Sequence, residues 1–434
     1  DREKRVVIVG GGAAGIGVAS MLRNEGMKHV TIVEPSKLFY YQPLWTLVGA
    51  GIKNNEDSVL DLEQVLPRGT ELVNRCTTKF EPEKNRIVLN DGSVLEYDYL
   101  VVAAGIQIDW HKIEGLEEAL RDENSGVVSI YDYHTSKRAW NRFKTVEKGR
   151  LLFTMPNSLI KCAGAPQKIM WLIEEMLREK KIREQTSVEF WVPGAAMFGI
   201  KKYSDMLEKI REERDVKAQF KQELISVDGK SKKAVFKSLV DNTLSVQEFD
   251  TIHVTPPMSA PDFIKNSPLA APSGWMEVDK HTLQSTKFEN IFGIGDCTDT
   301  PNSKTAAAVT AQAPVLVHNL LQHSLGKELD GHYNGYASCP LIIGKNRVIL
   351  AEFGYGGQIM ETFSRETGKF PYNLLGQEGP MQQRFFYWLK ESFFPLAYWK
   401  LWVKGHWYGT NGIFKPSVIP PEHQKKQCPT PTPK

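Results

Sequence analysis

The residues best suited to chemistry lie in one short stretch, LLFTMPNSLIKCAGAPQK, residues 151–168. Cys162 follows Lys161 and stands just before a segment whose apolar residues recur at helical spacing. A neighbouring ammonium and a helix N-terminus both favour the thiolate, the nucleophilic form of cysteine. A lone cysteine is more often a small buried core residue, so its surroundings decide the reading. The chain has five cysteines, Cys76, Cys162, Cys297, Cys339 and Cys428, with no CxxC pair and no histidine-rich metal spacing. An odd count argues against a secreted disulfide framework and leaves room for reactive thiols.

The elements that must position such a thiol begin at the N-terminus. RVVIVG reads as a strand, and Gly10-x-Gly12-x-x-Gly15 opens a helix running to about Gly26. HVTIVEP then gives a second strand ending at Glu34. This order suits a dinucleotide. The glycines allow a tight turn and close backbone approach, the helix start with Gly12, Ala14 and Gly15 receives the pyrophosphate, and Glu34 accepts from an adenosine ribose. A glycine-rich turn beside a surface glutamate would not account for that sequence of elements. The uncharged run Val6–Leu22 is too rich in glycine for a membrane span and belongs to this unit.

Two later segments, YDYLVVAAG ending at Ala104-Gly105 and NIFGIGDC containing Asp296, read as apolar strands. Together with GxGxxG they resemble the signatures of the two-dinucleotide-binding-domain flavoproteins. That resemblance implies FAD, with Asp296 on its ribityl chain. KTAAAVTAQAPVLVHNLL reads as a helix from about Lys304, bent or interrupted near Pro314, whose N-terminal dipole and Lys304 would stabilise a reduced flavin. The alternative for Lys304 is a solvated lysine at a helix start. The superfamily also inserts a second Rossmann-like domain. GRLLFTMP, APQKIMWLIEEMLREKK and SVEFWVP supply its βαβ unit, but without GxGxxG and with no acid at the end of the second strand. The domain is therefore expected not to bind NAD(P)H, and Cys162 occupies the loop where nicotinamide would otherwise stack.

The stretches VVIVGGGAAGIGVA, FYYQPLW, MPNSLIKCAGAPQK, FGIGDC and YNGYASCPLIIG, spread over nearly the whole chain, resemble the sulfide:quinone oxidoreductases, most closely those of animal mitochondria. The resemblance implies a second redox cysteine at Cys339 and further cofactor contacts at Gln42 and Thr78. It implies that Cys162 and Cys339 are bridged at rest, by a disulfide or with an added sulfane sulfur. Hydrogen sulfide, as hydrosulfide, attacks the bridge, electrons leave Cys162 through FAD for ubiquinone, and glutathione or sulfite carries off the sulfane sulfur. It also implies a peripheral, monotopic place on the mitochondrial inner membrane. Cys76 reads as structural, within a nucleotide-domain strand.

A quinone substrate needs contact with lipid, and residues 384–409 hold eleven aromatic residues between Phe385 and Tyr408, with Lys390, Lys400 and Lys404 among them. No uncharged run there is long enough to span a bilayer. Split at Pro395, the stretch reads as two amphipathic helices lying in the interface, rings at headgroup depth and lysines toward phosphate. The competing reading packs them on the core or across a homodimer interface. Phe385 and Phe386 are candidates for lining a quinone tunnel. The tail from Glu422 reads as disordered, with Cys428 exposed.

The whole chain of 434 residues, 41% hydrophobic, is expected to fold as an α/β protein. An FAD-binding Rossmann domain spans 1–111 and 286–335, the second Rossmann-like domain 112–285, and a C-terminal region 336–434. Lys+Arg 54 against Asp+Glu 51 gives a net charge of +3, which excludes a strongly basic nucleic-acid binder. No signal or transit segment is read at the start, which already runs into a strand. SVDGKSKKAVFKS, residues 226–238, reads as a surface hairpin, and isolated histidines such as His253 as structural. Two rival functions remain: a type II NADH:quinone oxidoreductase, opposed by the missing second fingerprint, and a non-catalytic FAD-binding interaction protein, opposed by the two cysteines.

Overall fold

A computed structural model of the chain describes residues 1–363 and 380–420. Cys428 and the tail around it lie outside the described residues. Two five-stranded sheets organise the molecule. Across the first, the order is Ile291–Gly293, Tyr99–Val102, Arg5–Val9, His29–Val33, Thr70–Val73, with every neighbouring pair parallel. Such strands are covered on both faces, which is why they read as unbroken Val, Ile and Leu. Val6, Ile8, Ile32 and Val101 are fully buried. With Arg5–Val9 in the middle, the loops after three strands meet at one edge, bringing the Gly10 turn, Glu34 and Gly105 together.

The second sheet has the order Val127–Val128, Thr251–His253, Gly149–Thr154, Thr186–Trp191, Lys217–Gln219, again all parallel. Helix Ala165–Glu179 crosses between Gly149–Thr154 and Thr186–Trp191, burying Ile169, Leu172, Ile173 and Leu177 as its apolar spacing predicts. The surface hairpin forms and gains a third strand, making a meander of Gln222–Asp228, Lys233–Ser238 and Leu244–Glu248. Buried His253 accepts from Ile130 N at 3.2 Å, and burial lowers its pKa to about 3, so it stays neutral.

Three expectations are corrected. Helix Ala306–Ser324 continues through Pro314, because burial of that face outweighs the one hydrogen bond proline forfeits. Cys76 is exposed, in the connection between strands Thr70–Val73 and Thr77–Glu81 rather than within one. Nor does the aromatic C-terminal stretch split at Pro395. Helix Pro380–Trp388 passes through a π-turn, Leu389–Phe393, straight into helix Phe394–Lys400. Pro395 cannot donate to the preceding turn, and the wider turn absorbs the defect.

That stretch docks on the first nucleotide-binding helix, Ala13–Asn24. Trp402 Nε1 donates to Ala13 O at 3.0 Å, Ser20 Oγ to Val403 O at 2.6 Å, and Asn24 Nδ2 to Lys404 O at 2.8 Å. Gly17 makes the seat, since a Cβ there would stand 2.1 Å from the Trp402 ring. Of the eleven aromatics only Trp388 is exposed; Phe386, Tyr387, Tyr398 and Trp402 are buried and the others half-buried. Their number therefore reflects packing on the core more than lipid contact.

Candidate functional site

One cavity of about 1070 Å³ runs from the nucleotide loops past Cys162 to the C-terminal aromatic stretch. At its nucleotide end the glycines divide the work. A Cβ on Gly10, whose φ is 107°, would meet Ala103 O at 2.2 Å, and one on Gly15 would meet Gly10 O at 1.8 Å. Gly15 closes the turn against its own backbone, and Gly10 seats it on the backbone that follows strand Tyr99–Val102. Gly12 has nothing within 4 Å of an added Cβ and sits at the N-terminus of helix Ala13–Asn24, where free N–H groups and the helix dipole attract phosphate. Ala14, Ala104 and Gly105 line the same space.

Glu34 lines it too, its carboxylate held by Gly11 N at 2.8 Å and Ser36 N at 2.7 Å. Asp296 faces the cavity from the turn after strand Ile291–Gly293, and burial raises its pKa. Lys304 lines the cavity as well, and it is also spent on the turn. Its Nζ donates to Asp296 O at 2.7 Å and Thr298 O at 2.9 Å and lies 4.1 Å above the Trp275 ring, so it braces the Asp296 turn. Thr78 is also displaced from expectation. It is exposed on strand Thr77–Glu81, donates to Val88 O at 3.2 Å and does not line the cavity. The remaining donors fit FAD: an open helix N-terminus for the pyrophosphate, a strand-end carboxylate for the ribose, and a second carboxylate further along for the ribityl hydroxyls.

At the other end, Cys162 Sγ and Cys339 Sγ stand 3.1 Å apart, and both are free thiols. Cys339 is brought there by strand Ala337–Gly344, paired in a hairpin with Arg347–Phe353. Gly164 permits the approach, for a Cβ there would lie 2.5 Å from Cys339 Sγ. Cys162 itself takes φ 83°, a conformation costly for any residue but glycine and typical of functional loops. Its loop is stapled to the chain ahead of the Ala306 helix by a bridge between Lys161 and Lys304.

The ammonium beside Cys162 is not Lys161 but Lys168, whose Nζ donates to Cys162 Sγ at 3.3 Å from the first turn of helix Ala165–Glu179. The Cys339 thiol and the Lys168 charge together hold Cys162 well below the ordinary thiol range, against burial. Cys339, left with the proton and buried, is pushed well above it. Lys161 instead donates to Gln42 Oε1 at 2.7 Å and lies over the Trp45 ring. Burial lowers its pKa to about 8. Gln42 thus lines the cavity as a tether for Lys161.

Lys390 was expected at lipid headgroups and points the other way. The π-turn carries it inward, 5% exposed, to donate to Pro43 O at 2.9 Å. Burial, with repulsion from Lys168, lowers its pKa to about 7. Leu389 and Phe393 from the same turn, and Phe394 at the start of the next helix, line the cavity, whereas Phe385 and Phe386 do not. Sequence reasoning missed Lys168 and Lys390 because neither stands beside a cysteine in the chain; a scan for a lysine one turn into the helix after Cys162 would have found the first.

The loop after the first strand of the βαβ unit in the second sheet has no glycine fingerprint of the kind that receives a nicotinamide nucleotide. Residues 155–164 lead into helix Ala165–Glu179 without a glycine fingerprint, and the next strand closes on Trp191. The nearby Glu189 is occupied by Arg150 at 2.8 Å. Among the described residues no group of histidines, cysteines and carboxylates could hold a metal, and no helix is long and apolar enough to cross a membrane.

Comparison with known proteins gives the same picture. Residues 4–148 match the pyridine nucleotide-disulphide oxidoreductase family. The mitochondrial sulfide:quinone oxidoreductase of Dictyostelium discoideum is 43% identical over 96% of this chain and 89% of its own. That of Mus musculus is 42% identical over 93% of this chain and 87% of its own. The sulfide:quinone oxidoreductase structure from Aquifex aeolicus superimposes with a TM-score of 0.73 at 19% identity, covering 92% of this chain and 91% of that one. A relative this similar over nearly the full length settles membership, and the chain belongs to the sulfide:quinone oxidoreductase family.

Proposed function

We propose that the chain oxidises hydrosulfide at Cys162 and Cys339, sends two electrons through FAD to ubiquinone, and passes the sulfane sulfur to glutathione or sulfite. The observation that carries this reading is the 3.1 Å approach of the buried Cys339 thiol to Cys162, which lines a cavity whose other end fits a dinucleotide.

From a bridged resting state, hydrosulfide attacks Cys339 Sγ; the bond to Cys162 breaks, leaving a persulfide on Cys339 and a thiolate on Cys162. Lys168 favours that departure because its charge stabilises the leaving thiolate. An acceptor thiolate or sulfite then takes the outer sulfur, leaving a second thiolate on Cys339. Rejoining the two sulfurs releases two electrons. FAD, held by Gly12, Glu34 and Asp296, supplies a two-electron carrier between the thiol pair and the quinone. Lys168 and Lys390, both buried at this end, offset the accumulating negative charge. Gly164 keeps the sulfurs within reach of each other.

The quinone reading is supported by the cavity's far arm, where Phe363, Phe393, Phe394, Ile413 and Phe414 give an apolar lining. Ile413 and Phe414 are also exposed, so this arm reaches the surface at an apolar patch. Such a mouth suits a lipid-borne substrate and a monotopic seat on membrane lipid, which for mitochondrial relatives is consistent with the inner membrane. A homodimer over the same patch is the competing arrangement.

The test is anaerobic absorbance of the FAD-loaded protein mixed separately with sulfide and with NADH. Bleaching, or a long-wavelength charge-transfer band, with sulfide alone is the expected result. Bleaching with NADH alone would overturn the reading.

A further inference from the structure

The hairpin that carries Cys339 has two faces with different neighbours. Its register pairs Ser338 with Glu352, Cys339 with Ala351 and Pro340 with Leu350. Side chains alternate across a strand, so paired residues share a face. Cys339, Leu341, Ile349 and Ala351 join the buried cluster of helix Ala165–Glu179. Ser338, Pro340, Leu350 and Glu352 line the cavity instead. One face thus presents the thiol, and the other presents a carboxyl group to the space assigned above to quinone.

Glu352 is 2% exposed, in a wall it shares with Tyr336, Ser338 and Thr362. Its Oε1 accepts from Tyr336 Oη at 2.8 Å and Thr362 Oγ1 at 2.6 Å, and its Oε2 from Thr362 N at 2.7 Å. A second buried acid, Glu361, lies close by, held by Lys202 Nζ and Tyr203 Oη, each at 2.8 Å. Tyr203 Oη also accepts from Glu352 N at 3.3 Å. Lys202 is therefore spent on Glu361, and the partners of the Glu352 carboxyl are hydroxyls and a backbone N–H rather than a cation. Burial, with repulsion from Glu361, raises the Glu352 pKa against its hydrogen bonds. Tyr336 is raised well above the ordinary phenol range by burial, so it remains a hydroxyl that can accept one proton as it gives another.

Behind this wall lies a second cavity of about 510 Å³ lined by polar residues that include His332, Asn334, Gln358 and Glu361. Tyr336 and Thr362 line both cavities. With Thr410 and Asn411 they stand where the second cavity, of mixed lining, adjoins the apolar arm.

We propose that Glu352 and Tyr336 are the proton-delivery pair for quinone reduction, refilled from water in the second cavity; the proposal rests on the quinone reading given above. Quinol formation takes two electrons and two protons. FAD, when held by Gly12, Glu34 and Asp296, would supply the electron pair and one proton. The other proton leaves Tyr336 Oη for a quinone oxygen once the Tyr336 hydroxyl turns from Glu352 Oε1 toward the quinone and the Glu352 O–H donates in its place; that O–H then breaks and its proton replaces the one Tyr336 gave. The Glu352 carboxylate then takes a proton from water by way of the Tyr336 and Thr362 hydroxyls. No oxidant beyond the quinone is required.

The experiment separates the two half-reactions in the FAD-loaded protein. Glu352→Gln and Tyr336→Phe are bleached anaerobically with sulfide, then mixed rapidly with a short-chain ubiquinone. Bleaching at the wild-type rate and recolouring slowed by roughly 10²-fold or more are expected for both, the size of a lost general acid. The infrared carbonyl band of a protonated carboxyl, present in the wild type at neutral pH, should vanish in Glu352→Gln. Recolouring at the wild-type rate in both variants, or an unchanged infrared band, overturns the proposal. Should Glu352→Gln fail to fold, Tyr336→Phe, which loses one hydroxyl, decides on its recolouring rate. A wild type that sulfide cannot bleach would instead overturn the sulfide reading on which the proposal stands.

Discussion

Lys168 Nζ lies 3.3 Å from Cys162 Sγ, while Lys161, the adjacent residue in sequence, turns away to Gln42 at 2.7 Å. The thiolate is therefore served from the following helix. Lys168→Met should lower sulfide turnover at neutral pH by roughly 10- to 100-fold, the worth of a hydrogen bond to a charged group. Because Lys168 holds Cys162 below the ordinary thiol range, its removal raises the thiol pKa and moves the acid limb of the pH–rate profile upward. Lys161→Met should leave that limb in place. Profiles of the two variants side by side check this, and matching shifts would refute it.

Gly164 tests whether the sulfurs must meet. In Gly164→Ala the new methyl would stand 2.5 Å from Cys339 Sγ and 2.3 Å from Leu341 Cδ2. Both neighbours are buried in a packed cluster, so the cost in stability should be about 1–3 kcal/mol. The Cys339 hairpin is expected to move away from Cys162 and prevent their bridging. Thiol titration after mild oxidation should then find two more reactive thiols than in wild type. An equal count would show that the site adjusts without separating the pair.

The dinucleotide end of the site was legible in sequence because its parts are local. Gly10, Gly12, Gly15 and Glu34 lie within one strand–turn–helix–strand unit whose geometry is dictated by the backbone. Cys339 came only from family resemblance, since no local rule links it to Cys162. Lys168, Lys390 and Glu352 were missed for a related reason: they meet the cavity through a helix, a π-turn and a strand register that exist only after folding. The aromatic stretch misled for another. Composition alone cannot tell a ring seated in the Gly17 groove, like Trp402, from one exposed at the surface, like Trp388.

Lys390 makes a prediction about stability. Its folded pKa of about 7 lies below its unfolded value, near 10.4. Between those values the unfolded chain binds more protons, so this residue's contribution to stability rises with pH across that window. Below pH 7 the buried charge carries its full penalty. Lys390→Met should therefore melt higher than wild type at pH 6, with the gap closing toward pH 10. A gap in Tm that stays constant across this pH series would mean that Lys390 is charged throughout. Turnover should fall in the same variant, because a positive charge near the thiols is lost.

The proposed membrane attachment would turn on few side chains once packing is discounted. Trp388, Leu396, Ile413 and Phe414 are 48%, 54%, 60% and 77% exposed, and the last two also line the cavity mouth. Each large apolar side chain is worth about 1.5–3 kcal/mol when fully buried, so four together suffice for peripheral binding. Exposed Lys400 and Lys404 on the same stretch stand ready for lipid phosphate. Ile413→Glu with Phe414→Glu should cut co-sedimentation with anionic vesicles by at least about tenfold, since a lost contact of 1.4 kcal/mol already has that effect. Turnover with a water-soluble quinone should persist, while turnover with a long-chain quinone dissolved in vesicles should collapse. Val240 and Leu244, 79% and 62% exposed near the third strand of the surface meander, supply the control. Glutamates there should change neither assay. If they weaken vesicle binding as much as the pair at the mouth, attachment is a matter of general charge, and the cavity mouth has no special relation to lipid.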